Sequence, residues 1–326
     1  MTGQWNHKVF GVTGAGFNGL ALEIFRIQYA ENPVYRAFTD ALGVQPDRVS
    51  HFTGIPFLPV SLFKTADIRT TTFVPAQVFE SSGTTGMVPS RHPVKDISLY
   101  EESFLRGFEL FYGPVTDWCI LALLPSYLER KGSSLVYMAD KLVQRCGHPS
   151  AGFYLDEFEP LAGVIRELEN KQQKTLLLGV TFALLDFAAQ CPIPLRHTVV
   201  METGGMKGRR KEMIRREVHV LLKEAFGVST VHSEYGMTEL LSQAYSKGEG
   251  LFQTPPWMKV LARDEEDPLL VKEQGNGILN VIDLANIYSC SFIATDDAGR
   301  LHEDGGFKVL GRVDGSDLRG CSLLAV

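Results

Sequence analysis

The chain has 326 residues, 44% of them hydrophobic and 21% charged, and its 32 basic against 38 acidic side chains leave a net charge of −6. Such a composition describes a globular chain with a large core and room for two domains, and excludes extended disorder. The acidic balance gives no broad positive surface for a nucleic-acid backbone or an anionic membrane. The five cysteines, Cys119, Cys146, Cys191, Cys290 and Cys321, form no CxxC pair, so neither a disulfide framework nor a zinc site is indicated and a reducing compartment fits. The opening MTGQWNHK lacks the basic start and apolar run of a secretory signal. The most apolar window, 175–189, is short for a membrane span and carries Asp186, so the expected location is cytoplasmic.

In chain order, residues 18–42 show helical apolar spacing (Leu20, Ile24, Ile27, then Val34, Phe38, Leu42) broken by Pro33, which predicts two helices meeting at an angle. Residues 55–75 are rich in Pro and β-branched side chains and read as extended. A helix over about 96–112, a strand over WCILALLP and helices over LVYMADKLVQRC and LAGVIRELEN follow. TLLLGVTFALLDFAA reads as a buried strand, a turn at Gly179 and a helix. LRHTVVMETGG ends a strand at a glycine pair, a helix covers about 208–226, and VSTVHSEYGMTE is strand and loop. This alternation predicts an α/β architecture with a substantial parallel or mixed sheet. Beyond about 257 the pattern becomes strands and turns (WMKVLARD, GILNVIDL, FIATDD, FKVLGRVD), a β-rich C-terminal subdomain. The expected division is an N-terminal helical and extended segment over 1–75, an α/β core over 76–256, the β-rich subdomain over 257–310 and a hinge-like tail over 311–326.

Two glycine-rich stretches invite a phosphate. GAGFNG (14–19) fits the dinucleotide fingerprint GxGxxG, but the next elements are a second helix and a proline-rich extended piece rather than a second strand ending in an acid, so a flexible N-terminal turn is the preferred reading. ESSGTTG (80–86) is different in kind: Gly83 and Gly86 let backbone N–H groups converge on an anion, and Ser81, Ser82, Thr84 and Thr85 add rotatable donors. It is not a Walker loop, because the glycine spacing is short and no Lys-Ser/Thr pair follows. Alone it reads more readily as an ordinary polar turn.

Its company changes that. Downstream, in order, stand ETGG (202–205), EYGMTE (234–239), TDDAGR (295–300) and LGRVD (310–314). The ordered set resembles the adenylate-forming superfamily of acyl-CoA synthetases, firefly luciferase and peptide-synthetase adenylation domains. The resemblance implies layered sheets and helices like that superfamily's N-terminal domain, with ATP and Mg²⁺ as cofactors. It assigns the ATP phosphates to the loop Ser81, Ser82, Gly83, Thr84, Thr85 and Gly86, the adenine to Gly204 and Gly205, and further nucleotide contacts to Tyr235, Gly236 and Thr238. It assigns magnesium to Glu239, the ribose hydroxyls to Asp297, and the hinge motif to Arg312. The residue types suit the chemistry: a carboxylate attacking the α-phosphorus of ATP needs donors and a metal to neutralise charge as pyrophosphate leaves, a carboxylate is a hard ligand for Mg²⁺, and a diol is matched by a bidentate acceptor.

The stretches FNGLALEIFRIQYAENPVYR, IPFLPVSLFK, FESSGTTG, LLPSYLERKGSSLVYM, ETGGMKGRRKEM, HSEYGMTELLSQAY and GRVDGSDLRGCSL are similar to the acyl-protein synthetase family, the fatty-acid-activating component of bacterial bioluminescence reductase complexes, over nearly the whole chain. That resemblance implies acyl-AMP formation, transfer to a cysteine near the C-terminus, here Cys321, and delivery to a reductase or carrier protein. Arg319 and Arg312 lie near Cys321 in sequence and favour its thiolate, while a buried apolar role is the competing reading. Two departures stand out. The superfamily loop continues with Pro-Lys, whereas this one reads MVPSRHPV, leaving Arg91 or His92 as substitutes. The lid domain and its lysine are expected to be missing after Val326, so Lys207, Arg209 or Arg210 would supply the cation, or else form a solvated helix face. Tyr127, Leu128, Val180, Phe182, Tyr235 and Met237 flank the motif-bearing strand ends and are candidates for an acyl pocket, with His232 either orienting the acid or simply packed. Cys119, Cys146, Cys191 and Cys290 read as core. The expected function is ATP-dependent activation of a fatty or aryl acid as acyl-AMP with transfer to a protein thiol. An acyltransferase that does not adenylate and a non-catalytic subunit of a reductase complex are the alternatives.

Overall fold

The computed structural model describes residues 3–81, 88–124, 132–204 and 213–313. In chain order come α1 (Gly3–Phe10), α2 (Gly14–Glu31), α3 (Pro33–Ala41), β1 (Leu58–Pro59), α4 (Leu62–Thr65), β2 (Gln77–Glu80), β3 (Arg91–Val94) and α5 (Ile97–Tyr112). Then follow β4 (Cys119–Leu123), α6 (Ser134–Cys146), β5 (Gly152–Tyr154), α7 (Phe158–Asn170), β6 (Thr175–Val180), α8 (Thr181–Gln190), β7 (Thr198–Thr203), α9 (Arg215–Phe226) and β8 (His232–Tyr235). The chain continues through β9 (Ala244–Ser246), β10 (Phe252–Gln253), β11 (Met258–Arg263), β12 (Val271–Lys272), β13 (Gly275–Asp283), β14 (Phe292–Leu301) and β15 (Phe307–Arg312). These elements form two compact units, each discontinuous in sequence. Among the described residues, one takes the chain up to Phe104, Gly236–Gln243 and 253–313; the other takes Leu105–Tyr235 and Ala244–Phe252.

The first unit is built on antiparallel strands in the order β12, β11, β13, β14, β15, with β1 added in parallel to the start of β14 at Leu58↔Ile293. Its helices are set by local chemistry. Pro33 cannot continue α2, and Asn32 accepts the Tyr35 N–H at 3.0 Å as the cap of α3, so the predicted break falls there. Helix α2 buries Phe17, Leu20, Ile24 and Phe25, and its Gln28 is tied to the entry of β14 by bonds to the Ile287 carbonyl (2.9 Å) and from the Ser291 N–H (3.0 Å). Phe25, Tyr35, Phe57 and Phe292 meet in an aromatic core with centroids 6.1 to 6.3 Å apart, and the buried Tyr35 hydroxyl donates to the Pro56 carbonyl. A separate antiparallel hairpin, β2 with β3, carries the hydroxyl-and-glycine loop.

The second unit is a wound sheet in the order β5, β4, β6, β7, β8, β9, parallel except for β8 against β9. Strands β4 and β6 are buried along their whole length, as expected of parallel strands covered on both faces. Helices α6 and α9 end on Gly147 and Gly227, both at φ 63°, the left-handed conformation that glycine adopts without a Cβ penalty.

Three local expectations are corrected. Gly14–Gly19 is the first part of α2, preceded by α1 and not by a strand, so it is neither a nicotinamide loop nor a flexible turn. Gly179 lies within β6, opposite Leu123 and Glu202, and α8 starts directly at Thr181. A Cβ there would stand 2.8 Å from Leu184 Cγ, so close packing rather than a turn requires the glycine. Residues 55–75 are only partly extended, because α4 interrupts them. Among the described residues no helix is long and apolar enough to cross a membrane.

Candidate functional site

In the first unit the hairpin closes at the foot of the loop: the Ser81 N–H donates to the Ser90 carbonyl (3.1 Å) and the Ser90 N–H to Ser81 Oγ (2.8 Å). Ser82, Gly83, Thr84, Thr85 and Gly86 lie outside the described residues. Ser90 is fully buried, and its hydroxyl has no partner among the described residues. The GMTE part of EYGMTE belongs to this unit. Glu239 is buried and Thr238 half-buried, in a turn closed by the Leu240 N–H on the Met237 carbonyl (3.1 Å).

Of the two substitutes for the loop lysine, Arg91 is exposed and pairs with Glu80 at 3.4 Å. His92 is buried, with both ring nitrogens engaged inside the fold: Nδ1 lies 2.8 Å from the Thr238 carbonyl and Nε2 lies 3.0 Å from Asn286 Oδ1. Burial lowers its pKa, against the raising influence of the Thr238 carbonyl, Glu239 and Asn286. His92 is therefore not a phosphate ligand.

Asp297 on β14 and Arg312 on β15 stand directly opposite in register, and Arg312 Nε reaches Asp297 Oδ1 at 3.3 Å. Both are almost wholly buried, so the pair is desolvated and its partners are costly to separate. Arg312 Nη1 has no hydrogen-bond partner among the described residues. A buried guanidinium nitrogen beside a buried carboxylate is a donor and acceptor set that suits a ribose with phosphate attached.

In the second unit the strand ends carry the other motif residues. Gly204 follows β7 at φ 72°, where a side chain would be strained, and its carbonyl accepts the Thr181 hydroxyl at 2.7 Å. Gly205, Lys207, Arg209 and Arg210 lie outside the described residues, as do Tyr127, Leu128 and Cys321. Arg215, from the same basic run, is not a solvated face: it makes a 3.1 Å bond to the buried Glu202 and lies over the Phe252 ring. Burial would raise the Glu202 pKa, but Arg215, with His219 and Ser233, holds it down to about 2. Its neighbour Glu234 accepts from the Thr203 hydroxyl, which only partly offsets desolvation and the nearby Glu202, and is raised to about 7. Val180, Phe182 and Tyr235 are buried, with Tyr235 edge-on to Phe252 at 5.9 Å. His232 is half-buried against Tyr112, whose hydroxyl lies 3.2 Å from Nδ1, and burial lowers its pKa to about 4, so it is a neutral packed ring. Burial pushes the Cys119 and Cys290 thiols up to about 12, and Cys146 and Cys191 are also buried, the core role expected of all four.

Sequence reasoning missed the residues that hold the motifs. Asp283 accepts from the Leu241 N–H (2.7 Å), the Ser242 N–H (2.9 Å) and the Ser242 hydroxyl (2.6 Å), while Asn286 Nδ2 donates to the Glu239 carbonyl (2.7 Å). The signal was an acid and an amide within the apolar run ILNVIDLANIYSCSF, since polar side chains buried there must find partners.

No protein-family model matches the chain. It is 22% identical to the long-chain-fatty-acid–luciferin-component ligase of Vibrio harveyi over 92% of this chain and 84% of that one, and 24% identical to the Aliivibrio fischeri protein of the same name over 87% and 79%. Among solved structures, 2-hydroxyisobutyryl-CoA ligase in complex with 2-HIB-AMP and CoA aligns with a TM-score of 0.66 at 14% identity, covering 96% of this chain and 72% of its own. ATP-bound MatB from Rhodopseudomonas palustris aligns with a TM-score of 0.56 at 15% identity, over 86% and 58%. The chain spans only half of an ATP-bound RpMatB-BxBclM chimera with a TM-score of 0.55. The fold is thus that of the N-terminal domain of adenylate-forming enzymes, and the resemblance to the fatty-acid-activating family read from the sequence is borne out.

Proposed function

We propose, from this kinship and fold, that the chain is an ATP-dependent ligase that activates a long-chain or aryl carboxylic acid as acyl-AMP and passes the acyl group to a protein thiol. The observation that carries the reading is the buried Asp297–Arg312 pair, whose Arg312 Nη1 has no partner among the described residues, on the two strands to which the family resemblance assigns the ribose and hinge motifs. Asp297 accepts from the ribose hydroxyls and Arg312 donates beside it. The phosphate contacts are proposed for the loop Ser81–Gly86 and Thr238, and the adenine contacts for Gly204, Gly205, Tyr235 and Gly236. Glu239 would hold Mg²⁺, and the ion would neutralise part of the polyphosphate charge. Lys207 is the proposed source of the cation for the charge that develops on the α-phosphate.

An oxygen of the acid attacks the α-phosphorus, and the bond from that phosphorus to the bridging oxygen breaks to release pyrophosphate. The Cys321 thiolate, its proton lost to solvent, then attacks the acyl carbon and AMP leaves with the bonding pair. A reductase or carrier protein is the proposed recipient of the acyl group, and the cytoplasm its proposed setting. Incubation with ATP, Mg²⁺ and isotopically labelled acids, followed by peptide mapping, tests the second step. Label is expected on the peptide containing Cys321 and absent from a Cys321→Ser chain; label that persists on the Cys321→Ser chain, or none on any peptide while pyrophosphate is released, contradicts this acceptor.

A further inference from the structure

The first unit contains a buried polar cluster that the activation chemistry does not itself use. Strand pairing sets Phe79 opposite His92 and Glu80 opposite Arg91, so the hairpin turns Phe79 and His92 to its buried face and Glu80 and Arg91 to its exposed one. On that buried face His92 meets the turn that bears Thr238 and Glu239. A carbonyl only accepts, so the 2.8 Å contact with the Thr238 carbonyl means that Nδ1 carries a proton and donates it. The orientation of the Asn286 amide is fixed as well, because its NH₂ group donates to the carbonyls of Glu239 (2.7 Å) and Cys290 (2.9 Å), which leaves Oδ1, also an acceptor, to receive a second N–H from His92 Nε2 at 3.0 Å. Asp283 fixes Leu241 and Ser242. The turn is thus fastened from the end of β13 by Asp283 and Asn286, and from the loop-bearing hairpin by His92.

We propose that His92 is a positioning residue that locks the Thr238–Glu239 turn to strand β3, so that the hairpin carrying the hydroxyl-and-glycine loop and the turn carrying the metal carboxylate are held as one piece. The proposal rests on the reading of Thr238 as a phosphate contact and Glu239 as a metal ligand. Its physical basis is that a phosphate grip and a metal ligand act together only if their spacing is fixed to a fraction of an ångström, and a bond between their two supports fixes it.

The two amide replacements of the ring separate this role from mere packing. Asparagine places an N–H near the position of Nδ1, whereas glutamine reaches toward Nε2; His92→Asn keeps the donor to Thr238 and His92→Gln does not. In the full-length chain, amide hydrogen exchange over 236–243 is expected to quicken in His92→Gln and to stay near wild type in His92→Asn. The KM for MgATP in pyrophosphate exchange should rise roughly tenfold or more only in the glutamine variant, at similar thermal midpoints. Equal behaviour of the two variants, or losses spread over the whole unit in step with the thermal midpoint, overturns the proposal. If the wild type exchanges pyrophosphate with no acid, the activation reading fails while the hydrogen-exchange arm still decides the lock. Should a variant not fold, ¹⁵N-histidine spectra of the wild type decide it: a slowly exchanging proton on His92 Nδ1 is expected, and an unprotonated Nδ1 at neutral pH overturns it.

Discussion

Glu202 and Glu234 occupy neighbouring strands of one sheet and end in opposite electrostatic states. Arg215 reaches the first, while among the described residues the second has the Thr203 hydroxyl and no cation to offset its burial. With its pKa raised from 4.5 to about 7, Glu234 binds its proton more tightly in the folded chain than in the unfolded one. Its contribution to stability is therefore complete below about 4.5 and is lost as pH rises through about 7, a change of about 3 kcal/mol. Glu202, lowered to about 2, contributes with the opposite sign: its share is present above 4.5 and lost as pH falls toward 2. Urea unfolding of the wild type and Glu234→Gln between pH 5 and 8 checks this, because glutamine has no proton to lose. The wild type should lose stability relative to the variant as pH rises, and parallel profiles would contradict the assignment. At this scale the sequence was legible for the burial of the four apolar cysteines. It was not legible for Asp283, Asn286 and His92, whose roles are bonds to backbone more than 40 residues away that no local pattern encodes.

Strand β14 shows how an element places a proposed site residue, Asp297. Its pairing with β15 shifts register between Ala298 and Gly299, one step beyond the Asp297↔Arg312 pair, and bulges of this kind redirect side chains near functional sites. Gly299 is required there by space: a Cβ would stand 2.5 Å from Leu279 Cδ2 and 2.7 Å from the Lys308 carbonyl oxygen. The leucine tip can swing aside, but the carbonyl is backbone and can move only if β15 moves. Gly299→Ala should cost about 1–3 kcal/mol, read as a lowered urea midpoint, and an unchanged midpoint would show that β15 yields freely. Periodicity located the strands and helices, because their burial repeats on the scale of a few residues. It misjudged Gly14–Gly19 and Gly179, where glycine serves helix entry and close packing instead of a turn.

At the scale of the whole molecule, the motif order carried the fold. ESSGTTG and TDDAGR fall in the first unit, ETGG in the second, and EYGMTE contributes Glu234 and Tyr235 to one and Gly236 through Glu239 to the other. That discontinuity is invisible to a composition scan, since neither unit is a continuous stretch with a linker at its edge. The purpose proposed for the scattered segments was legible only because chemistry orders them, as a proposed phosphate loop, adenine wall, metal carboxylate and ribose acceptor. The account stands or falls on acid activation. In the presence of Mg²⁺, ATP and labelled pyrophosphate, the full-length chain is expected to move label into ATP only when a suitable carboxylic acid is added. Exchange that ignores the acid, or its absence across a panel of fatty and aryl acids, would contradict the proposed activation.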